Sequence, residues 1–229
     1  GLRWDAFLDE LARTFTVYAP EHPGTTPGDP DGIKPLDNLW DLVLYYDEMF
    51  DRLGLDSPAL VGHSFGGMVA AEIAASYPKR VSKLVLLCPI GLWRDDTPVK
   101  NWMIMPMEAV AQAAFADPTG PVARQLLTLP DDPVARQDAE IHLTWSLACT
   151  GKFIWPIPDK GLKKRIHRIA APTLIVWGRE DKLVPPVYAR EFASRIAGAR
   201  VELIERAAHV PQIEQLPTVS ALVRNFITG

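Results

Sequence analysis

The chain has 229 residues, 48% of them hydrophobic, which is enough for one buried core with room for an inserted subdomain and excludes intrinsic disorder. A formal net charge of −4 without a basic stripe argues against nucleic acid as a partner, and no apolar run is long enough to cross a bilayer. Cys88 and Cys149, the two cysteines, read as buried reduced thiols rather than a disulfide framework, so the cytoplasm is the expected compartment.

Trp4, Phe7, Leu8 and Leu11 stand at i, i+3, i+4 and i+7, which predicts an opening amphipathic helix. Phe15-Thr16-Val17-Tyr18-Ala19 is β-branched and aromatic and is predicted as a strand. Pro20 to Pro35 forms a loop crowded with Pro, Gly, Thr and Asp, of a length that often carries function. Leu39, Leu42, Val43, Tyr46, Phe50 and Leu53 predict a second helix, closed by Gly54 as a left-handed cap. Ala59-Leu60-Val61 then ends a buried strand, and Met68, Ile73, Ala74 and Tyr77 recur at roughly helical spacing beyond it. Three more apolar runs, at residues 81–87, 172–177 and 201–204, are separated by helical patterns, and that alternation predicts a parallel α/β sheet.

After Gly91 the rhythm breaks. Tryptophan, methionine and proline become frequent, no strand run appears, and helical stretches at 107–115, 121–127 and 134–148 dominate. Residues 94–168 are therefore expected to form a helical cap inserted into a core made of residues 1–93 and 169–229. Trp102, Met105, Trp145 and Phe153 are the candidate substrate-binding residues, because rings and thioethers suit an apolar cavity. The same side chains would equally serve as the cap's own core, and both readings stand.

The chemistry is concentrated in Gly62-His63-Ser64-Phe65-Gly66, a serine between two glycines after a strand and before a helix. Such a turn strains the serine backbone, lifts Oγ clear of the sheet and aims free helix N–H groups at whatever binds there. A serine hydroxyl needs an adjacent base, itself oriented by a carboxylate. Asp181 follows an apolar strand in Trp177-Gly178-Arg179-Glu180-Asp181, and His209 follows the last strand. Asp95 and Asp96, after the preceding strand, are alternative sources of the acid. His63 is expected to point away from Oγ and to shape the elbow, and His22 to line the mouth. No phosphate loop, dinucleotide fingerprint or metal-ligand spacing appears, so no cofactor and no metal are expected.

In these motifs, and in the order Ser64, Asp181, His209, the chain resembles the α/β-hydrolase superfamily, specifically its small capped serine members: esterases, haloperoxidase-like enzymes and carbon–carbon bond hydrolases. Pro20-Glu21-His22-Pro23-Gly24 resembles that family's D-x-P-G loop, and residues 62–67 its elbow. Residues 84–89 resemble the strand before the cap, residues 172–181 the acid loop, and His209 with Glu214 and Pro217 the histidine region. The resemblance implies Ser64 as nucleophile, His209 as general base and then acid, Asp181 as the group that holds the imidazole, and the backbone N–H of Phe65 as an oxyanion donor. It implies hydrolysis of an ester or related carbonyl bond in a small, largely apolar substrate, by a monomer or homodimer. Serine at position 64 argues against dehalogenase and epoxide hydrolase chemistry. The same triad serves carbon–carbon bond hydrolysis of a diketone-type substrate, and the same fold serves as a non-catalytic receptor for a small ligand. The family's first strands and its His-Gly oxyanion loop should precede the opening helix, with Gly1 as the last glycine of that loop and a strand between residues 15–19 and the elbow strand. The sequence is therefore expected to be a fragment lacking about 20–50 N-terminal residues, counting three strands with their turns.

Overall fold

The computed structural model describes residues 4–229, so Gly1 and what is expected of it lie outside the described residues. Four strands, β1 (Ala59–His63), β2 (Lys83–Leu87), β3 (Thr173–Gly178) and β4 (Arg200–Ile204), form one parallel sheet in that spatial order. Because every pairing is parallel, the carboxyl ends of all four strands share one edge. Alternate residues of β2 face opposite layers: Leu84 and Leu86 pack with Met68 and Ile73, Val85 and Leu87 with Phe7, Leu11, Val219 and Val223. The first layer contains α2 (Leu39–Arg52) and α3 (Phe65–Ser76), and the second α1 (Ala6–Ala12) and α9 (Leu216–Thr228). With helices on both faces, β2 and β3 need an almost unbroken apolar sequence, which is why periodicity marks them so clearly.

The second helix begins where Asn38 and Asp41 form a reciprocal capping box and ends ahead of Gly54 at φ +68°. α1 buries Phe7 and Leu11, but Trp4 is 54% exposed and donates its indole N–H to Asp9, so it lies off the predicted stripe. The predicted strand at residues 15–19 does not form. Phe15 and Val17 pack against the layer of α1 and α9, while Thr16, Tyr18 and Ala19 are exposed. A strand is stable only as part of a ladder, and residues 15–19 pair with neither edge strand of the sheet, β1 or β4.

Between β2 and β3 the described residues contain helices and no strand: α4 (Met107–Ala114), α5 (Pro121–Leu127) and α6 (Pro133–Ile154). α6 starts with Asp132 as its cap and Pro133 at its first position and runs past the predicted end at residue 148. The short helices α7 (Val187–Ala193) and α8 (Pro211–Glu214) follow β3 and β4.

This region is fastened to α3 by a buried ion pair that no local pattern announces. Arg165 donates from Nε to Glu72 Oε2 at 3.0 Å and from Nη2 to Oε1 at 2.7 Å, and the Glu72 side chain is only 2% exposed. Burial pushes the Glu72 carboxyl above its ordinary value, and Arg165 opposes that shift. In Arg165→Met the opposing charge is gone, so the folded-state pKa of Glu72 climbs further above its unfolded value. A carboxyl raised in the folded state is favoured protonated, and stability is then lost as pH rises through the folded pKa. Arg165→Met should therefore cost about 3 kcal/mol near pH 8 and distinctly less near pH 5, read from urea melts at both pH values. Equal losses at the two pH values would show that Glu72 is not left as an uncompensated charge.

Candidate active site

Ser64 joins β1 to α3 with φ +52° and ψ −113°, a strained backbone for a residue with a side chain. Three backbone hydrogen bonds hold the strain: Ser64 N–H donates to Leu87 O at 2.9 Å, and Ser64 O accepts from Met68 at 3.1 Å and from Ile90 at 3.2 Å. A Cβ at Gly62 would stand 2.4 Å from the carbonyl oxygen of Gly66, so the strand and the first helical turn approach as closely as they do only because position 62 is bare. Phe65 opens α3, and its N–H has no acceptor within the helix.

His209 meets the serine. Its Nε2 lies 2.9 Å from Ser64 Oγ, and its Nδ1 lies 2.8 Å from Asp181 Oδ2. The second carboxylate oxygen of Asp181 accepts from the backbone N–H groups of Leu183 and Val184, each at 2.9 Å. Asp181 is 3% exposed and His209 5%. A carboxylate with one oxygen held by two amides presents the other to Nδ1–H, which leaves the Nε2 lone pair facing the serine hydroxyl. Asp181 follows β3 and His209 follows β4, so both stand on the sheet edge that carries Ser64. The alternative acids are engaged elsewhere: Asp95 accepts from Trp93 Nε1 at 2.8 Å, and Asp96 pairs with Arg94 at 2.6 Å.

Cys88 adds a third donor, its Sγ lying with a carboxylate oxygen of Asp181 and a nitrogen of His209 within 4.8 Å of one another. Both ring nitrogens are already hydrogen-bonded, and Nδ1 is 2.8 Å from Asp181. Two ligands of a tetrahedral zinc at about 2.1 Å would stand roughly 3.4 Å apart. The arrangement is that of a hydrogen-bonded array with a thiol behind it. Burial pushes the Cys88 thiol well above its ordinary pKa, and the nearby Asp181 adds to that.

Of the four candidate substrate-binding residues, Phe153 comes nearest the elbow. Its ring, 1% exposed, stacks on Phe65 at 6.4 Å between centroids, and His22 stands edge-on to both rings at 5.1 Å and 5.5 Å. Burial lowers the His22 pKa to about 4, so its ring is neutral, and Nε2 is buried with no hydrogen-bond partner. Phe153 also walls a cavity of about 510 Å³ together with Leu39, Val43, Glu72, Lys160 and Arg165. Trp102 is half-buried, edge-on to Trp155 at 5.2 Å, and Met105 is half-buried against the main core. Trp145 is 42% exposed and donates its indole N–H to Gly24 O at 2.8 Å. It ties α6 to the loop at residues 20–24.

Sequence reasoning did not reach the groups that hold His209 in place. His209 N–H donates to Ala114 O at 2.9 Å, and its carbonyl faces His63 Nε2 at 2.6 Å. Glu214 accepts from the N–H groups of Ala208 and Ala116, both at 2.7 Å. Only Glu214 had a signal, through the resemblance of the histidine region.

A 2-hydroxy-6-oxononadienedioate/2-hydroxy-6-oxononatrienedioate hydrolase of Comamonas testosteroni is 29% identical over 196 residues, 79% of this chain and 66% of the relative. The chain thus spans just under two thirds of that relative's length. A pimeloyl-[acyl-carrier protein] methyl ester esterase of Neisseria meningitidis is 24% identical over 99% of this chain and 88% of the relative. A solved meta-cleavage product hydrolase from Pseudomonas fluorescens, complexed with acetates, matches with a TM-score of 0.65 over 83% of this chain and 72% of that one, at 24% identity, a likeness of fold. A model of the alpha/beta hydrolase family matches residues 1–221, and the chain belongs to that family.

Proposed function

We propose that this hydrolase is a serine hydrolase that cleaves an ester or related carbonyl bond of a small, largely apolar molecule through an acyl-enzyme. The observation that carries the reading is His209, bonded at one nitrogen to Ser64 Oγ and at the other to Asp181. In the first half-reaction Ser64 Oγ bonds to the carbonyl carbon while His209 Nε2 takes its proton. Negative charge gathers on the carbonyl oxygen, for which the N–H of Phe65 at the amino end of α3 is the donor in reach. The bond to the leaving group breaks, and His209 returns the proton to it. In the second half-reaction a water gives its proton to His209 and attacks the acyl carbon, and the serine leaves with that proton. Asp181, fixed by two amides, keeps the imidazole oriented and offsets its transient charge.

Residues 94–168 form the cap in this reading, with Phe153 shaping the acyl side of the site. The relative from Neisseria, named for a methyl ester, supports ester cleavage. The relative from Comamonas supports the second reading, hydrolysis of a carbon–carbon bond in a 2-hydroxy-6-oxo dienoate, in which the leaving group is a carbanion equivalent protonated on departure. We place the reaction in the cytoplasm, because both cysteines are free and buried. No helix among the described residues is long and apolar enough to cross a membrane.

A panel of p-nitrophenyl esters set beside a 2-hydroxy-6-oxo dienoate separates the two readings by relative kcat/KM. Ser64→Ala should lower turnover by on the order of 10⁴ to 10⁶ while leaving the melting temperature in place, and retention of a tenth of the activity would remove Ser64 from the role. Asp181→Asn should leave less activity than Asp95→Asn or Asp96→Asn.

Phe153→Leu should alter the ranking of acyl chain lengths across the ester panel, whereas Trp145→Ala should leave that ranking unchanged. Phe153→Ala, by comparison, carries the stability cost of a buried ring, about 3–5 kcal/mol, so the leucine variant is the cleaner probe. An unchanged ranking in Phe153→Leu would assign this ring to the core alone.

A further inference from the structure

We propose that His63 is a positioning residue for the base, a tether from the elbow itself to the backbone of His209; this rests on reading Ser64 and His209 as nucleophile and base. His63 is the last residue of β1, and its Nε2 lies 2.6 Å from the carbonyl oxygen of His209, 146 residues away. A carbonyl only accepts, so Nε2 carries the proton and donates. The neighbouring Ser64 meets the other end of the same histidine, with Oγ 2.9 Å from its ring. Two consecutive residues thus grip one residue at its backbone and at its ring, and the peptide bond they share fixes the separation of the two grips.

The other tethers of the histidine loop refer to different parts of the fold. Ala207 O accepts from Glu180 N–H at 3.0 Å, Ala208 N–H donates to Glu214 at 2.7 Å, and His209 N–H donates to Ala114 O at 2.9 Å. The Cys88 thiol donates to Ala208 O at 3.7 Å. None of them measures the distance from base to nucleophile. With His63 removed, the loop loses the tether that runs from the elbow itself to the backbone of His209.

The tether also has to stay neutral, because its ring centroid is 5.0 Å from that of His209, which gains a proton in every cycle. Burial first, and the nearby His209 second, hold the His63 pKa at about 3. The ring therefore donates one proton to the carbonyl and adds no charge beside the imidazolium throughout the pH range in which esters are assayed.

The experiment uses the full chain with His63→Leu, His63→Gln and His63→Asn. Leucine fills the space without a donor, glutamine carries an amide N–H near the position of Nε2, and asparagine carries one that falls short of the carbonyl. The readouts are the rate of Ser64 labelling by a fluorophosphonate, kcat and KM on p-nitrophenyl acetate, and the melting temperature. His63→Leu and His63→Asn should slow labelling and lower kcat by about 10–100-fold with KM nearly constant, the scale of a misplaced catalytic group. His63→Gln should recover most of the rate whatever its melting temperature. If His63→Leu labels as fast as the wild type, the proposal falls. It falls equally if glutamine and asparagine are slowed alike, a comparison that holds even where the leucine variant does not fold. A wild-type chain that is not labelled at Ser64 would overturn the serine hydrolase reading and this proposal together, so the two failures are distinct.

Discussion

Two backbone segments lie closer together than a side chain permits, and the site depends on it. A Cβ at Gly178, the last residue of β3, would stand 2.0 Å from Ala208 O and 2.4 Å from Ala207 O. Because that position is bare, the loop after β4 rests directly on the end of β3, and His209 comes within hydrogen-bond reach of Asp181 three residues beyond Gly178. Gly62 does the same work at the other end of the array, where the first turn of α3 folds back over β1. Each glycine lies at the carboxyl end of a strand whose neighbours are already fixed by parallel pairing. The sheet supplies the common edge, and the two bare positions let the loops close over it.

The helical region between β2 and β3 is joined to both of those loops through one short stretch at the end of α4. Ala113 O accepts from Lys182 N–H at 3.0 Å, Ala114 O accepts from His209 N–H at 2.9 Å, and Ala116 N–H donates to Glu214 at 2.7 Å. These carbonyls are orphans of the last helical turn and would otherwise need water or a cap. Spending them on the acid loop and the histidine loop makes the placement of α4 a condition for the placement of His209. Glu214 completes the joint: burial raises its carboxyl pKa, and the amides of Ala208 and Ala116 pull it back. A carboxyl group with both oxygens held by amide donors fixes its two neighbours relative to each other.

What could be read in the sequence was whatever a strand or a turn states locally. The glycines at 62, 66 and 178, the apolar runs of β1 to β4 and the order Ser64, Asp181, His209 are each compressed into a few adjacent residues, and the structure joins all three side chains. Phe15 to Ala19 had the composition of a strand but pair with no strand of the sheet, and composition does not report pairing. The Glu72–Arg165 pair and the bond from His63 to the carbonyl of His209 join residues 93 and 146 positions apart. Neither has a periodic signature, because only the assembled sheet brings them together. Trp145 and Phe153 were indistinguishable as aromatic residues of one helix, and their different environments, 42% against 1% exposed, follow from where along α6 each stands, because the buried residues of that helix, Ser146, Cys149, Phe153 and Ile154, all lie toward its carboxyl end.

Phe65 is where these constraints converge. Its backbone opens α3 directly after the strained Ser64, at the amino end of the helix where N–H groups lack acceptors within the helix. Its ring meets Phe153 from α6 and His22 from the loop at residues 20–24, and Trp145 holds that same loop to α6 through Gly24. The residue proposed above as the oxyanion donor therefore also forms one wall of the apolar contact between the sheet and the helical region. Moving α6 to admit a larger group would press first on the ring of Phe65. The elbow resists because Ser64 is held by Leu87, Met68 and Ile90. In this arrangement a change in the shape of the site is most easily absorbed by Phe153 and His22, whose contacts to the elbow are ring contacts alone, leaving the hydrogen-bonded array beneath them undisturbed.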